Sequence, residues 1–325
     1  MGSNFFLTCR YFLIVFLLIF RSYGMTSAVT YTFSGGRFGD NLLSYCHAKW
    51  ISYIYNIPLL YKPFEYSDQV MMHILEMSYS KELEDEFEQV IIYSPDCAIS
   101  ANGGILYVIP FFPESIFNRN DTEFPFLFTV DWHNTVFKNL LTTMIRPIVP
   151  TKKYTIPAGY VSVAVHARKG TGWDIPNYGI TPSQLCASHP LRFAPDSFYV
   201  EQLKRVAHMF SHDRIYVYLF TDHNNPAELA HNYKEAVNCS RMIFDYRTTE
   251  NNEFINVLDD FFGLLQFDCL IRADSNFSYM ASRLGTYKIQ MVPWHGIFID
   301  RETIIDEVNL TIQDQSFIVK KENVL

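Results

Sequence analysis

The sequence predicts an α/β protein built on parallel, doubly wound sheet. Three observations carry this. From residue 160 onward, short β-branched or aromatic runs alternate with stretches of helical period. Near the start, an alternating run at 28–33 meets a Gly-rich turn and then an amphipathic segment. Between these regions, residues 146–158 carry three prolines and read as a linker. A chain of 325 residues is long enough for two α/β domains or one large one, and 49% hydrophobic residues supply a sizeable core.

In order, residues 28–33 form the first strand and Ser34-Gly35-Gly36-Arg37-Phe38-Gly39-Asp40 the turn. A helix follows from Asn41, with Leu42, Leu43, Cys46, Trp50, Tyr53 and Ile54 at helical spacing. Strand, Gly-rich turn and helix together present backbone N–H groups and the positive helix end to an anion. Neither Gly-Lys-Ser/Thr nor G-x-G-x-x-G is present, so a tight turn for close packing reads equally well from this stretch alone. Residues 57–61 make the next strand, 66–80 a helix, and the acidic run 81–88 a solvated helix face. Strands are expected at 89–94 and 104–110, then a loop over 110–131. Asp131 or Asn134 caps a helix to about 145, closed by Pro147 and Pro150.

In the second half, Val161, Val163, Ala164 and Val165 mark a buried strand that delivers His166 and Arg168 to its carboxyl end, where α/β sheets bind ligands. Lys169, Gly170, Thr171 and Gly172 continue as a basic loop, and a long loop runs to Pro195. A guanidinium with forked donors, beside glycines that let backbone N–H groups approach, suits phosphate, while a solvated arginine at an ordinary glycine turn reads equally well from this stretch alone. Asp196 is expected to cap a helix to 210. Strand 214–221 ends at Asp222, helix 226–237 and strand 242–246 follow, and helix 253–267 leads to strand 268–273. Asp274-Ser275-Asn276-Phe277-Ser278 then opens a helix to about 284, and 288–293 is the last strand.

A net charge of −8 and a pI near 5.7 argue against a nucleic-acid partner. The cysteines are Cys9, Cys46, Cys97, Cys186, Cys239 and Cys269; none has zinc-ligand or C-x-x-C spacing, so no metal is expected, and disulfide pairing stays open. Cys46 and Cys269 read as small buried hydrophobes. Residues 11–20 form an apolar run of roughly ten residues, the length of a signal h-region rather than a bilayer span. Residues 1–24 are a signal peptide, a tilted signal anchor, or an extension before a true start at Met25. The first two imply a secretory or membrane-associated protein, the last a cytoplasmic one. Sequons stand at Asn120, Asn238, Asn276 and Asn309.

Three stretches in order resemble the fucosyltransferase superfamily that uses GDP-fucose, which holds the α-1,2-fucosyltransferases and the protein O-fucosyltransferases. Residues 36–42 (Gly-Arg-Phe-Gly-Asp-Asn-Leu) resemble its G-R-F/L-G-N-Q opening. His166-Ala167-Arg168-Lys169-Gly170 resembles H-x-R-x-G, and Thr171-Gly172-Trp173-Asp174 resembles the G-S-D-W continuation. Ala273-Asp274-Ser275-Asn276-Phe277-Ser278 resembles A-N-S-[S/T]-F-S. Thr221-Asp222 matches a strand-end T-D, and Asp260 with Asp268 a D-x₇-D pattern. The chain departs from the pattern at Asp40, where the family has Asn, and at Lys169, where it has Arg.

The resemblance implies two Rossmann-like domains facing a cleft, of glycosyltransferase-B type: 25–155 on the acceptor side and 156–325 holding the nucleotide sugar. It implies metal-independent, inverting transfer of fucose from GDP-fucose, with no cofactor, to a glycan or protein hydroxyl. Arg168 would be catalytic. Gly36, Arg37, Gly39, Asp40, His166, Asp222, Asp260, Asp274, Ser275, Asn276, Phe277 and Ser278 would contact the donor. Asp40 and Asp174 are candidate bases. A transferase using another nucleotide sugar, and a silent nucleotide- or glycan-binding protein, are the alternatives.

Overall fold

The computed structural model describes residues 26–94, 96–112, 130–170, 181–249, 256–299 and 302–321. The expected leader, Asn120, and the stretch 171–174 with Asp174 lie outside the described residues. The chain divides into two compact units, described residues 26–112 with 130–148 and described residues 149–321.

The first unit is built on short parallel strands. β1 (Ala28–Tyr31) is buried throughout and pairs with β5 (Ile105–Ile109), which pairs with β4 (Gln89–Ile92). β2 (Leu60–Tyr61) pairs with β3 (Met77–Ser78), and a parallel bridge from Val29 to Leu59 links this pair to β1. A strand buried on both faces must be apolar along its whole length, as β1 nearly is. α1 (Phe38–Tyr55) starts inside the stretch 34–40 expected as a turn, with Arg37 as its N-cap rather than from Asn41, and ends at Asn56 in the left-handed conformation. α4 (Thr135–Met144) is capped by Asn134, whose side chain accepts from Phe137 N–H at 3.0 Å.

The helix expected at 66–80 is absent. Ser67–Gln69 form a single 3₁₀ turn, α2 spans only Met72–Leu75, and the chain then enters β3. The reason is local. Tyr66 has φ +65, and Ser67 Oγ accepts from Phe64 N–H and the Tyr61 hydroxyl while donating to Phe64 carbonyl. A serine that satisfies neighbouring backbone in this way competes with the helical ladder. The acidic run gives a short α3 (Lys81–Glu84).

The second unit holds a seven-stranded sheet in the order β12-β11-β10-β9-β6-β7-β8. Five strands are parallel: β6 (Tyr160–Ala167), β7 (Arg214–Thr221), β8 (Met242–Tyr246), β9 (Cys269–Arg272) and β10 (Ile289–Ile299). On one face, Val163, Val165 and Ala167 pack with helices α6 (Asp196–Met209) and α7 (Pro226–Val237), through Phe198, Leu203, Leu229 and Tyr233. Each fully buried valine there contributes about 1.5–3 kcal/mol. β7 alternates cleanly. Ile215, Val217 and Leu219 join that core, while Tyr216, Tyr218 and Phe220 form an aromatic cluster with Tyr154 and Phe267. On the other face of β6 lie α8 (Val257–Leu264) and α9 (Asn276–Leu284), where Phe261 and His166 both approach Phe277.

Several expectations need correction. α8 is shorter than 253–267, beginning after Asn256, whose φ of +62 does not continue a helix. The long loop before Pro195 contains a helix, α5 (Pro182–Ser188). Asp196 is not the cap of α6; Pro195 occupies that position and Asp196 sits in the first turn. The last strand does not end at 293, because β10 continues to Ile299 and is followed by antiparallel β11 (Glu302–Ile312) and β12 (Gln315–Lys320). β11 and β12 are joined by Gln313 and Asp314, both at positive φ, a two-residue hairpin turn without the usual glycine signal.

Cys46, Cys97, Cys186, Cys239 and Cys269 are free thiols, and Cys46 and Cys269 are buried. Among the described residues no helix is long and apolar enough to cross a membrane, and no three His, Cys, Asp or Glu side chains converge to hold a metal.

Candidate functional site

The order of the parallel strands locates the site. From β6 the chain steps outward to β7 and β8, then returns to the other side of β6 to lay down β9 and β10. Strand order therefore reverses between β6 and β9, and in such sheets ligands bind outside the carboxyl ends at the reversal. β6 and β9 run in register there, with His166 opposite Arg272 and Ala273 N–H donating to His166 carbonyl at 3.2 Å. The two segments leaving these strands carry the H-x-R and A-D-S-N-F-S motifs.

The structure brings Arg168 and Ser275 together. One guanidinium nitrogen donates to Ser275 Oγ at 3.4 Å, and the guanidinium lies 5.3 Å from the ring centre of buried Phe193. A cation over an aromatic face keeps its charge while losing water on one side. Ser275 is the N-cap of α9, but its side chain caps no N–H of that helix. The hydroxyl serves Arg168 instead, and the first turn of α9 keeps the partial positive charge of a helix start. Ser278 Oγ, fully buried, donates to Ala273 and Ser275 carbonyls at 3.4 Å each and braces the turn from below. Asp274 is buried; its N–H donates to Leu191 carbonyl at 2.9 Å, and its carboxylate lies 4.0 Å from Arg272. Asn276 opens α9, and the Phe277 ring packs 5.5 Å from both His166 and Phe261. A fixed guanidinium, a hydroxyl and a helix start at one strand crevice form an arrangement suited to a bound oxyanion.

Other expected site residues are placed differently. Asp222 follows the last residue of β7, and both its oxygens accept backbone N–H groups: Lys169 at 2.6 Å and Gly170 at 3.2 Å. Asp260, in the first turn of α8, is ion-paired with Arg247 and accepts the Tyr154 hydroxyl at 3.2 Å. Burial pushes its carboxyl up to about 6, against the opposing pull of Arg247 and Tyr154. It meets the α9 turn through packing, since Phe261 beside it approaches Phe277.

Gly36, Arg37, Gly39 and Asp40 belong to the first unit and form a cluster of their own. Gly35 has φ +83, Gly36 N–H donates to Ser34 Oγ at 3.1 Å, and Arg37 is the N-cap of α1. The Asp40 side chain lies across Gly36, where an added Cβ would fall 2.5 Å from Asp40 Cγ. The chain thus places its own carboxylate in the first turn of α1, where the helix dipole favours it.

Sequence reading missed Phe193, Arg247, Arg272 and Tyr154. Arg247 and Arg272 carried a usable signal, each standing at the carboxyl end of a strand. Phe193 and Tyr154 lie in segments without period and carried none.

Fold and site together define an α/β protein in which a guanidinium, a hydroxyl and a helix start meet at the strand-order reversal of a mostly parallel sheet. Neither a protein-family profile nor a curated protein sequence matches the chain. Among solved structures, it is similar to a mutant of Arabidopsis thaliana FUT1 in complex with GDP, at 14% identity and a TM-score of 0.51, over 86% of this chain and 73% of that one. It is also similar to POFUT1 in complex with GDP-fucose, at 13% identity and a TM-score of 0.40, over 81% and 95%. A third is NodZ α-1,6-fucosyltransferase co-crystallized with GDP, at 11% identity and a TM-score of 0.40, over 92% and 99%. The likeness to FUT1 shows that the chain has the fold of that GDP-bound protein.

Proposed function

We propose that the protein is a glycosyltransferase that takes a sugar from a nucleoside-diphosphate donor, GDP-fucose above others, and transfers it with inversion to a hydroxyl of a glycan or protein. The observation that carries this is the meeting of Arg168 with Ser275 at the start of α9, 107 residues apart in sequence. The fold shared with GDP-bound FUT1 and the ordered motifs support the guanine nucleotide.

In this reading the sugar C1–O bond breaks and its electron pair leaves with the β-phosphate. The acceptor oxygen forms the new C1 bond, and its proton passes to a base or to water. Charge builds on the departing diphosphate, and Arg168 meets it there without a metal. A preorganised donor of this kind is worth roughly 10²–10³ in kcat. Ser275 and the first-turn N–H groups of α9 add donors. Asp274, Asn276 and Ser278 shape the turn, and His166 and Phe277 wall the crevice.

One feature favours a second reading, a binding protein without turnover: Asp40 stands where the family Asn is expected and lies across Gly36.

The test is thermal stabilisation of the full chain by GDP, UDP, ADP and GDP-fucose in EDTA, for wild type and Arg168→Ala. A ligand bound only by the native state raises its melting temperature. A GDP-selective rise that Arg168→Ala reduces supports the proposal, and release of GDP from GDP-fucose on incubation with acceptor glycans separates transferase from binder. No rise with any nucleotide refutes the transferase and leaves the silent glycan-binding reading.

A further inference from the structure

The loop that carries Arg168 is held on both sides of that residue. Before it, Thr221 Oγ1 donates to Ala167 carbonyl at 2.6 Å. After it, the Asp222 carboxylate accepts Lys169 N–H at one oxygen, 2.6 Å, and Gly170 N–H at the other, 3.2 Å. Bonds to an ionised acceptor are about twice as strong as neutral ones. Gly170 itself is at φ +69, a conformation a side chain would strain.

Lys169 is turned away to a second anchor. Its ammonium lies 2.5 Å from Asp196 Oδ1 in the first turn of α6, 3.4 Å from Ala194 carbonyl and 5.0 Å from the ring centre of Tyr199. Its side chain is only 15% exposed. Asp196 in turn accepts the Tyr233 hydroxyl of α7 at 2.6 Å. The ammonium is thus tied to the helices beneath the loop.

We propose that Asp222 and Lys169 are positioning residues: they fix the backbone around Arg168 so that its guanidinium faces Ser275, and Lys169 does not serve as a second phosphate cation. The inference rests on the reading of Arg168 as the donor-phosphate ligand. It reassigns Asp222 from donor contact to loop clamp, and it explains how a lysine is accommodated at the family's second arginine: the position anchors the loop by a point charge to Asp196.

Two measurements on the full chain test it. The first is GDP affinity by calorimetry for Asp222→Ala and Lys169→Met, each alone and combined with Arg168→Ala. Residues acting only through Arg168 couple to it, so each single change should weaken GDP binding about tenfold in the wild-type background and less than about twofold once Arg168 is gone. Equal losses in both backgrounds would show direct contacts to the ligand and overturn the proposal. The second needs no nucleotide. Amide hydrogen exchange at Lys169 and Gly170 should speed by about 100-fold in Asp222→Ala while the amides in the middle of β7 keep their protection. Unchanged exchange at both amides would mean the clamp does not hold the loop. Absence of GDP binding by wild type would refute the proposed function alone, and the exchange result would still stand for or against the clamp.

Discussion

Asp260 makes the stability of the second unit depend on pH in an unusual sense. Its side chain is 22% exposed and that of its partner Arg247 8%. Burial lifts the Asp260 carboxyl from the usual 3.8 to about 6. A folded-state pKa above the unfolded one means that the folded chain holds the proton more tightly. The contribution of this group is therefore greatest below about pH 4 and is lost as pH rises through 6, the reverse of the usual carboxylate. At about 1.4 kcal/mol for each tenfold in proton affinity, the loss amounts to about 3 kcal/mol. Asp260→Asn removes the titration and leaves the side chain nearly the same size. Urea unfolding of wild type and Asp260→Asn should be measured side by side from pH 4 to 7.5. The stability of wild type minus that of the variant should fall by about 2.5 kcal/mol across this range, the remainder being lost below pH 4. A difference that stays flat or grows with pH would refute the reasoning, because it would mean that the Arg247 pairing outweighs burial.

Three further outcomes are expected. Gly263 lies in α8, where alanine ordinarily favours the helix, yet an added Cβ would stand 2.5 Å from Tyr154 Cε2 and 3.0 Å from Phe220 Cε1; Gly263→Ala should cost about 1–3 kcal/mol by overpacking, and a gain in urea unfolding would count against the described packing. Asn225 caps α7 by accepting Glu228 N–H at 3.2 Å, so Asn225→Ala should lower stability by about 1 kcal/mol, seen as a lower urea midpoint with an unchanged slope. Replacing Gln313 and Asp314 by Asn and Gly suits the positive φ at both positions and should raise stability by about 0.5–1 kcal/mol, whereas a loss would contradict the turn geometry.

The parts of the fold that were legible share one property: the burial pattern of each element repeats along its own sequence. β6, β7 and α7 stand out this way, because valine or alternating aromatic and aliphatic runs bury one or both faces, and Pro226 opens α7. Legibility failed where a local or distant partner decided the outcome. Ser67 diverted a segment with helical spacing into a turn, and Gln313 with Asp314 made a hairpin without glycine, so β11 and β12 went unread. The site divides in the same way. Arg168 and Ser275 announce themselves because each follows a strand, and His166 because it stands near the carboxyl end of one. The pairings that define their work, Asp222 with two amides, Lys169 with Asp196, and Arg247 with Asp260, depend on strand order. Strand order has no periodic trace in a sequence.

The reversal between β6 and β9 also has a bearing on how the protein is made. β6 is the first strand of its sheet to leave the ribosome, but it lies in the middle of the five parallel strands, and the bond from Ser162 to Asp268 closes a span of 106 residues. Its second neighbour does not exist until β9 has been synthesised. Contacts this distant slow folding, since the loop must be closed before pairing offsets the lost entropy. Arg168 therefore waits through the synthesis of β7, β8 and α8 for Ser275. A nascent chain that stops short of α9 holds one half of the crevice with an uncovered sheet edge beside it, a state that invites capture by chaperones or by another chain.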